Sequence, residues 1–302
     1  MSGAGQVLQA QEAPGVSVPS AAGNSERGVD GEFLFNYYDQ DGDHSPVTGG
    51  VGTENLQVVA PIVVTRWNIN DRWSLNASFG LDQITSASTD NIDDDVSSAS
   101  RIDLRSYSTL EAARTFEAQT VGFSAGFSKE YDYSSAMVGL RWTRDFNLRN
   151  TTVAASGRFY ADRLQLIGID GSEGEDDNTP TATRRTTDLS FSVTQLLGRR
   201  TVGTVEVGVS LQRGFLSTPF HEVVLAASSG VPRGLRVAER LPDTRDRRAV
   251  GVRLNHAATN WLVERLGSRY YNDTFGVTAY TVESETHLRL PSADEMWIFP
   301  IV

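Results

Sequence analysis

From Trp73 the chain alternates in character with a period of two: Trp73, Leu75, Ala77, Phe79 and Leu81 interleave with Ser74, Asn76, Ser78, Gly80 and Asp82. Successive side chains of a β-strand point to opposite faces, so this spacing predicts a strand with one apolar face. The pattern returns at Val121, Phe123, Ala125, Phe127 and at Ala136, Val138, Leu140, Trp142. It returns again at Val205, Val207, Val209, Leu211, set against Thr204, Glu206, Gly208, Ser210 and Gln212. Val250, Val252 and Leu254 face away from Gly251, Arg253 and Asn255 in a further strand. These stretches run to about ten residues or more, against five or six in a soluble strand, which is the length of a tilted bilayer crossing.

The polarity of the two faces separates the possible media. A soluble sandwich packs its apolar faces together, whereas a membrane barrel turns them to lipid and lines its interior with small, polar and charged residues. The second set here holds Glu206 and Arg253 among many Gly, Ser and Thr. The sequence therefore predicts an all-β fold, a transmembrane antiparallel up-and-down β-barrel of about 12–14 strands. Trp67, Trp73, Trp142, Trp261, Tyr270, Tyr271 and Phe275 fall near predicted strand ends, where aromatic belts mark the two interfaces. The longest apolar run, residues 58–64, is far short of the roughly 18–20 residues of a spanning helix. A net charge of −11 lacks the basic footprint that phosphate neutralisation requires, so no nucleic-acid partner is expected. Without cysteine there is no disulfide framework and no thiolate metal site. Lys129 is the only lysine, so the cationic surface is almost entirely guanidinium.

Residues 1–30 lack periodicity and read as a flexible leader, with no basic start or apolar stretch of an export signal; residues 31–302 read as the barrel domain. Tight turns are predicted at 68–71, 146–150, 198–200 and 257–260, with longer connections near 39–55, 168–185 and 214–246. Parity tests the scheme, because each strand reverses direction. Between the turns at 68–71 and 146–150 the clear strands are 72–82, 116–128 and 132–145, so one crossing is missing. Arg101 to Tyr107 supplies it as a descending strand, followed by a helical turn at Ser108 and Glu111, which have capping-box spacing. That count gives about twelve strands up to Leu290 and a thirteenth from Met296. Since bacterial single-chain barrels have even numbers, the domain is expected to be incomplete at its C-terminal end.

Several stretches together resemble a proteobacterial family of outer-membrane barrels without an established activity, domain of unknown function 3570. They are VSSAS (96–100), SKEYDYSS (128–135), DFNLRNTTV (145–153), TQLLGRRT (194–201), GFLSTPF (214–220), ERLPDTRDRRAV (239–250) and SRYYNDTFGV (268–277). By this resemblance a Tyr-Arg-Tyr-Tyr-x-Asp-x-Trp-Gly stretch falls on Ser268, Arg269, Tyr270, Tyr271, Asp273, Phe275 and Gly276, with Ser for the first Tyr and Phe for Trp. Tyr280 and Thr281 stand where the family has a His-Thr pair. The resemblance implies an outer-membrane barrel that continues past WIFP with an aromatic-rich strand, and it assigns no activity.

Local motifs add little chemistry. GFSAG (122–126) has nucleophile-elbow spacing, but that motif needs a strand-to-helix turn and here lies inside an alternating strand. Asp39, Asp41 and Asp43 alternate without the glycine position or closing glutamate of a calcium loop. The acidic runs at 91–95 and 171–177 read as solvated loop charge. His44, His221, His256 and His287 have no metal-ligand spacing. The basic run RDRR (245–248) reads either as salt-bridging to neighbouring aspartates or as an anion site. Glu206, Gln212, Arg253, Asn255 and Arg269 are the candidate lumen-facing residues, although Arg265 leaves the alternation around Arg269 ambiguous.

The functional expectation is a bacterial outer-membrane channel or transporter for small hydrophilic solutes, in contact with outer-membrane lipid and using no cofactor. The alternatives are a non-conducting surface or scaffold barrel and a soluble β-sandwich binding module. An enzyme is not expected, since no Ser, His and acid converge in the sequence.

Overall fold

The computed structural model describes residues 27–43, 55–87, 102–166, 180–217, 222–225, 235–289 and 297–298. Twelve long strands follow the chain: β1 (Gly28–Gln40), β2 (Asn55–Asn70), β3 (Trp73–Ala87), β4 (Ile102–Thr115), β5 (Gln119–Lys129), β6 (Tyr133–Phe146), β7 (Thr151–Gln165), β8 (Thr181–Gly198), β9 (Thr201–Gly214), β12 (Thr244–Ala257), β13 (Leu262–Asp273) and β14 (Thr278–Arg289). The β9–β12 connection carries a small hairpin, β10 (Glu222–Leu225) with β11 (Leu235–Ala238), and β15 (Trp297–Ile298) follows β14. Apart from that hairpin, the strands form one thirteen-stranded sheet in chain order, with every pairing antiparallel. This is the up-and-down meander that the alternation predicts. β1 and β15 bound the sheet and pair with no further strand among the described residues.

Parity correctly supplied the missing crossing. β4 is that strand, antiparallel to both β3 and β5, and it runs eight residues past Tyr107. The helical turn expected at Ser108 and Glu111 is absent; the two residues lie within β4, opposite Phe127 and Ser124. A capping box needs backbone N–H groups without partners, and here the two flanking ladders take them. The long connections are also shorter than expected, since β8 begins at Thr181 and β12 at Thr244. Residues 1–26 of the expected leader lie outside the described residues, and β1 already begins at Gly28.

The register propagates one assignment of faces across the sheet, because directly opposed residues share a face. Leu75, Ala77 and Phe79 oppose Ala112, Leu110 and Ser108. Ala112, Leu110 and Ser108 oppose Phe123, Ala125 and Phe127, which in turn oppose Leu140, Val138 and Ala136. Farther on, Phe191 opposes Val207, and Val207 opposes Val250. Among the described residues no second layer covers this face: Phe123 is 52% exposed, Leu140 62% and Val252 53%, and the buried apolar residues are only Val64, Ala113 and Leu164. Leaving about twenty large apolar side chains in water at roughly 1.5–3 kcal/mol each would exceed a typical net stability of 5–15 kcal/mol. The face requires an apolar surrounding.

Aromatic residues sort by type along the strand axis. Trp67, Trp73, Trp142 and Trp261 all lie toward the end that carries the turns at 71–72 and 258–261, hereafter the short-turn end. Tyr37, Tyr270 and Tyr280 stand on the apolar face toward the other, long-loop end, where Tyr270 and Tyr280 stack at 5.1 Å between ring centroids. Tyr271 belongs to the polar face, because it opposes Ala249 while Tyr270 opposes Val250. Arg114 lies over the Trp73 ring at 5.4 Å and the Phe116 ring at 4.9 Å, and Arg144 over Phe146 at 5.0 Å. An amphipathic ring with a cation beside it suits a water–hydrocarbon boundary.

The β6–β7 turn is left-handed over three residues, with φ of 51° at Asn147, 55° at Leu148 and 68° at Arg149. Gly276, with φ of 84°, turns β13 into β14. Placing a charge on the apolar face tests the assignment of media. Val207→Arg, in the middle of β9, is expected to cost about 2–4 kcal/mol of folding stability in phosphatidylcholine vesicles, read by urea titration. Glu206→Arg, one residue away on the polar face, is expected to cost less than about 1 kcal/mol; equal losses would refute the two-face assignment.

Candidate functional site

The polar face divides into a crowded part and an open part. On β3 to β7 the side chains press closely: a Cβ on Gly80 would overlap the Tyr107 ring, and one on Gly139 would sit 2.6 Å from Ser124 Oγ. Gly122 and Gly126 of the GFSAG string lie on this face, and a Cβ there would come within 3.3 Å of Glu111 Oε1 and 3.1 Å of Ser108 O respectively. Their role is close packing of a β-wall, in line with a strand assignment and not a nucleophile elbow. Glu111 pairs with Arg141 two strands away.

On β9 to β14 the same face is open. A Cβ on Gly208 would meet nothing within 4 Å and one on Gly251 only Ser268 O at 3.8 Å, while one on Gly267 would come 3.3 Å from Glu283 Oε2. The register lines up charge across these gaps. Glu206 opposes Gly251, which opposes Arg269, so an acid and a base stand in one row with glycine between them. In the next row Arg253 opposes Gly267, which opposes Glu283; in the row after, Asn255 opposes Arg265, which opposes Glu285. Neighbouring strands lie about 4.8 Å apart, so the backbones of each acid–base pair separated by glycine stand about 10 Å apart, and no ion pair joins these side chains among the described residues. That distance leaves room for water or a solute.

A cleft of about 380 Å³ lies over these rows, lined by Arg253, Asn255, Arg265, Gly267, Glu283 and Glu285 among others. Arg265 Nη1 is 3.3 Å from Glu285 Oε2, and Glu285 Oε1 is 2.7 Å from His287 Nε2. Asn255 Oδ1 is buried and has no hydrogen-bond partner among the described residues, which leaves an acceptor in the cleft. Glu206, Arg253 and Arg269 are exposed.

All five sequence candidates thus fall on one face, and four of them border the charged rows. Gln212 lies apart, near the long-loop end between Thr186 and Arg245. Sequence reading left Arg269 ambiguous because Glu264 and Ser268 interrupt the apolar face of β13; the register puts both Arg265 and Arg269 on the polar face. It missed Glu283 and Glu285. The signal was present, since Tyr280 and Val282 alternate with Thr281 and Glu283. Among the described residues no group of three or more acids and histidines could hold a metal ion, and no helix is long and apolar enough to cross a membrane. The acidic runs at 91–95 and 171–177, with His44 and His221, lie outside the described residues.

Two ionic clasps close the polar face toward the long-loop end. Asp162 accepts hydrogen bonds from Ser135 Oγ at 2.7 Å and Arg184 Nε at 2.8 Å, and Arg184 also donates to Tyr133 Oη at 3.3 Å. Asp273, whose side chain is fully buried, accepts from Arg245 Nε at 2.9 Å and Tyr271 Oη at 2.8 Å. Its other oxygen accepts from the backbone N–H of Phe275 at 3.0 Å and Val277 at 2.9 Å. The first arginine of the RDRR run therefore pairs across strands, with Asp273 of β13. Arg245 also covers the Phe275 ring at 4.7 Å. Asp273→Ala leaves a guanidinium and two turn amides without an acceptor, at an expected cost of about 3–5 kcal/mol. Amide hydrogen exchange at Phe275 and Val277 should accelerate strongly, while Asp273→Asn, which keeps an acceptor oxygen, should show a smaller change. Unchanged exchange in the alanine variant would mean that the clasp does not hold the turn.

Comparison with solved structures identifies the sheet's architecture. A double mutant of the ferric enterobactin receptor of Pseudomonas aeruginosa superposes with a TM-score of 0.50 at 11% identity, over 88% of this chain and 42% of the receptor. The siderophore receptor of Acinetobacter baumannii gives 0.49 at 14%, over 88% of this chain and 41% of that one. The ferric yersiniabactin uptake receptor of Yersinia pestis gives 0.45 at 11%, over 89% and 55%. The chain thus spans about half the length of these receptors or less, and at such identity the likeness shows the fold alone, an outer-membrane type of barrel wall. No curated protein matches the sequence. The model of one family, a protein of unknown function (DUF3570), matches residues 92–300, more than half of the chain, and the chain belongs to that family.

Proposed function

We propose that the chain forms wall of a bacterial outer-membrane β-barrel that passes small hydrophilic solutes, with its polar face turned to the bore. The observation that carries this reading is the pairing of an uncovered apolar face with an opposite face of small, polar and charged residues. Hydrocarbon satisfies the first and an aqueous bore the second. In this arrangement Glu206, Gln212, Arg253, Asn255 and Arg269 line the bore, and the open charged rows on β9 to β14 form its selective surface. Opposed acids and bases carried on backbones about 10 Å apart, with glycine between them, would favour small zwitterionic or polar solutes over apolar ones. The solved receptors with this type of wall are named for siderophores, which supports transport as a class.

A second reading, a non-conducting scaffold barrel, draws on the pairs Glu111–Arg141, Asp162–Arg184 and Arg265–Glu285, since paired charges can fill a bore as well as line one. Single-channel recording in planar bilayers separates the two. The expected outcome is a stable conductance whose cation-to-anion permeability ratio rises several-fold in Arg253→Glu with Arg269→Glu, because both substitutions reverse a bore charge. Stable insertion without conductance would overturn the channel reading in favour of the scaffold.

A further inference from the structure

The apolar face changes character near the long-loop end, and it does so across the middle of the sheet, from β5 to β12. Lys129, Arg163, Arg185, Arg213 and Arg248 stand on the same face as the exposed valines and phenylalanines of β5, β7, β8, β9 and β12, each within four residues of its strand's long-loop end. All five are exposed. Arg185 directly opposes Arg213. Arg163 is diagonal to Arg185, since Arg163 opposes Thr183 and Ala161 opposes Arg185. Like charges placed opposite one another weaken a sheet unless an anion lies between them.

The described residues supply little of that anion. Arg213 Nη1 is 2.6 Å from Asp246 Oδ1, but Lys129, Arg163, Arg185 and Arg248 have no ion pair among the described residues. Among the described residues the other acid on this face near the long-loop end is Asp39, on β1 at the edge of the sheet. This concentration of cations occurs in a protein whose net charge is −11, so it does not follow from composition. Within four residues of the cations toward the short-turn end come Phe127, Phe159, Leu189, Leu211 and Val250 on the same face. A guanidinium row bordering an apolar slope fits a ligand with phosphate at one end and hydrocarbon at the other. Free phosphate would satisfy only the row.

We propose that this ridge, formed by Lys129, Arg163, Arg185, Arg213 and Arg248, binds the phosphates of a phosphorylated lipid headgroup, whose acyl chains lie along the apolar face below. Guanidinium groups bind phosphate oxygens in a bidentate fork, and four of the five cations are arginine. The proposal rests on the reading of the apolar face as lipid-facing, and it concerns the barrel's exterior, so it holds for a conducting barrel and for a scaffold alike.

The test uses the purified protein in dodecyl maltoside, with native mass spectrometry reading retention of added diphosphoryl lipid A. The comparison is with the same lipid stripped of phosphate, and with inorganic phosphate as competitor. The variants are R163Q, R185Q and R248Q, singly and combined; none removes a partner from another side chain, and heat-modifiable gel migration checks that each still folds. Each substitution is expected to weaken retention about fivefold and the triple variant about a hundredfold, with the phosphate-free lipid retained poorly by all. Retention by the triple variant equal to that of the parent overturns the proposal, as does displacement of the lipid by equimolar inorganic phosphate, which would mark a free-anion site. Failure of the underlying reading is seen separately, before lipid is added: a protein that stays monodisperse once detergent is removed has no lipid-facing surface.

Discussion

In a medium without water every backbone N–H and C=O must find its partner within the protein, and this requirement governs the whole sheet. An unsatisfied group in hydrocarbon costs several kcal/mol, by the order of magnitude for desolvated amides. The ladders accordingly run almost without interruption from β1 to β14. Two register shifts occur, between Asn68 and Asn70 and between Leu196 and Gly198, and both adjoin turns at the short-turn end. Away from them the pleat keeps its phase, so each residue's face is fixed by its neighbours' faces.

With the phase fixed, the two surfaces can carry separate chemistry one residue apart. Val205 and Val207 meet the apolar surroundings while Glu206 stands among Gly251, Arg269 and their neighbours. The polar surface in turn depends on glycine, but in opposite senses on its two halves. On β3 to β7 glycine lets large side chains such as Tyr107 lie flat against the wall, whereas on β12 and β13 Gly251 stands between Glu206 and Arg269 and Gly267 between Arg253 and Glu283. The Asp162 and Asp273 clasps sit toward the long-loop end, where strands leave the shared ladder and side chains must take over from backbone pairing.

Strands whose two faces differ cleanly were legible from alternation alone, as β3, β5, β6 and β9 show. β4 was not, because Ser106 and Ser108 share its apolar face with Leu104 and Leu110 and blur the pattern; only the parity of the turns required it. The same blurring on β13, from Glu264 and Ser268, hid the placement of Arg265 on the polar face. The capping-box spacing at Ser108 and Glu111 misled because a local motif reports a possible hydrogen bond, and the ladders on both sides of β4 had already used the donors. Aromatic residues near strand ends were recognisable as belts, but the division into a tryptophan end and a tyrosine end required knowing which end each turn occupies.

The sequence by itself determined the strand class, the number of crossings and the identity of most polar-face residues, because period-two alternation and reversal at each turn are properties of the chain in order. Family membership follows from the same linear information. What the tertiary structure alone decided was lateral: which residues of β9, β12, β13 and β14 share a row, that glycine separates Glu206 from Arg269 and Arg253 from Glu283, and that Arg185 faces Arg213. Those relations depend on the register between strands tens of residues apart, which is set by the joint fit of all the ladders and is encoded in no single segment.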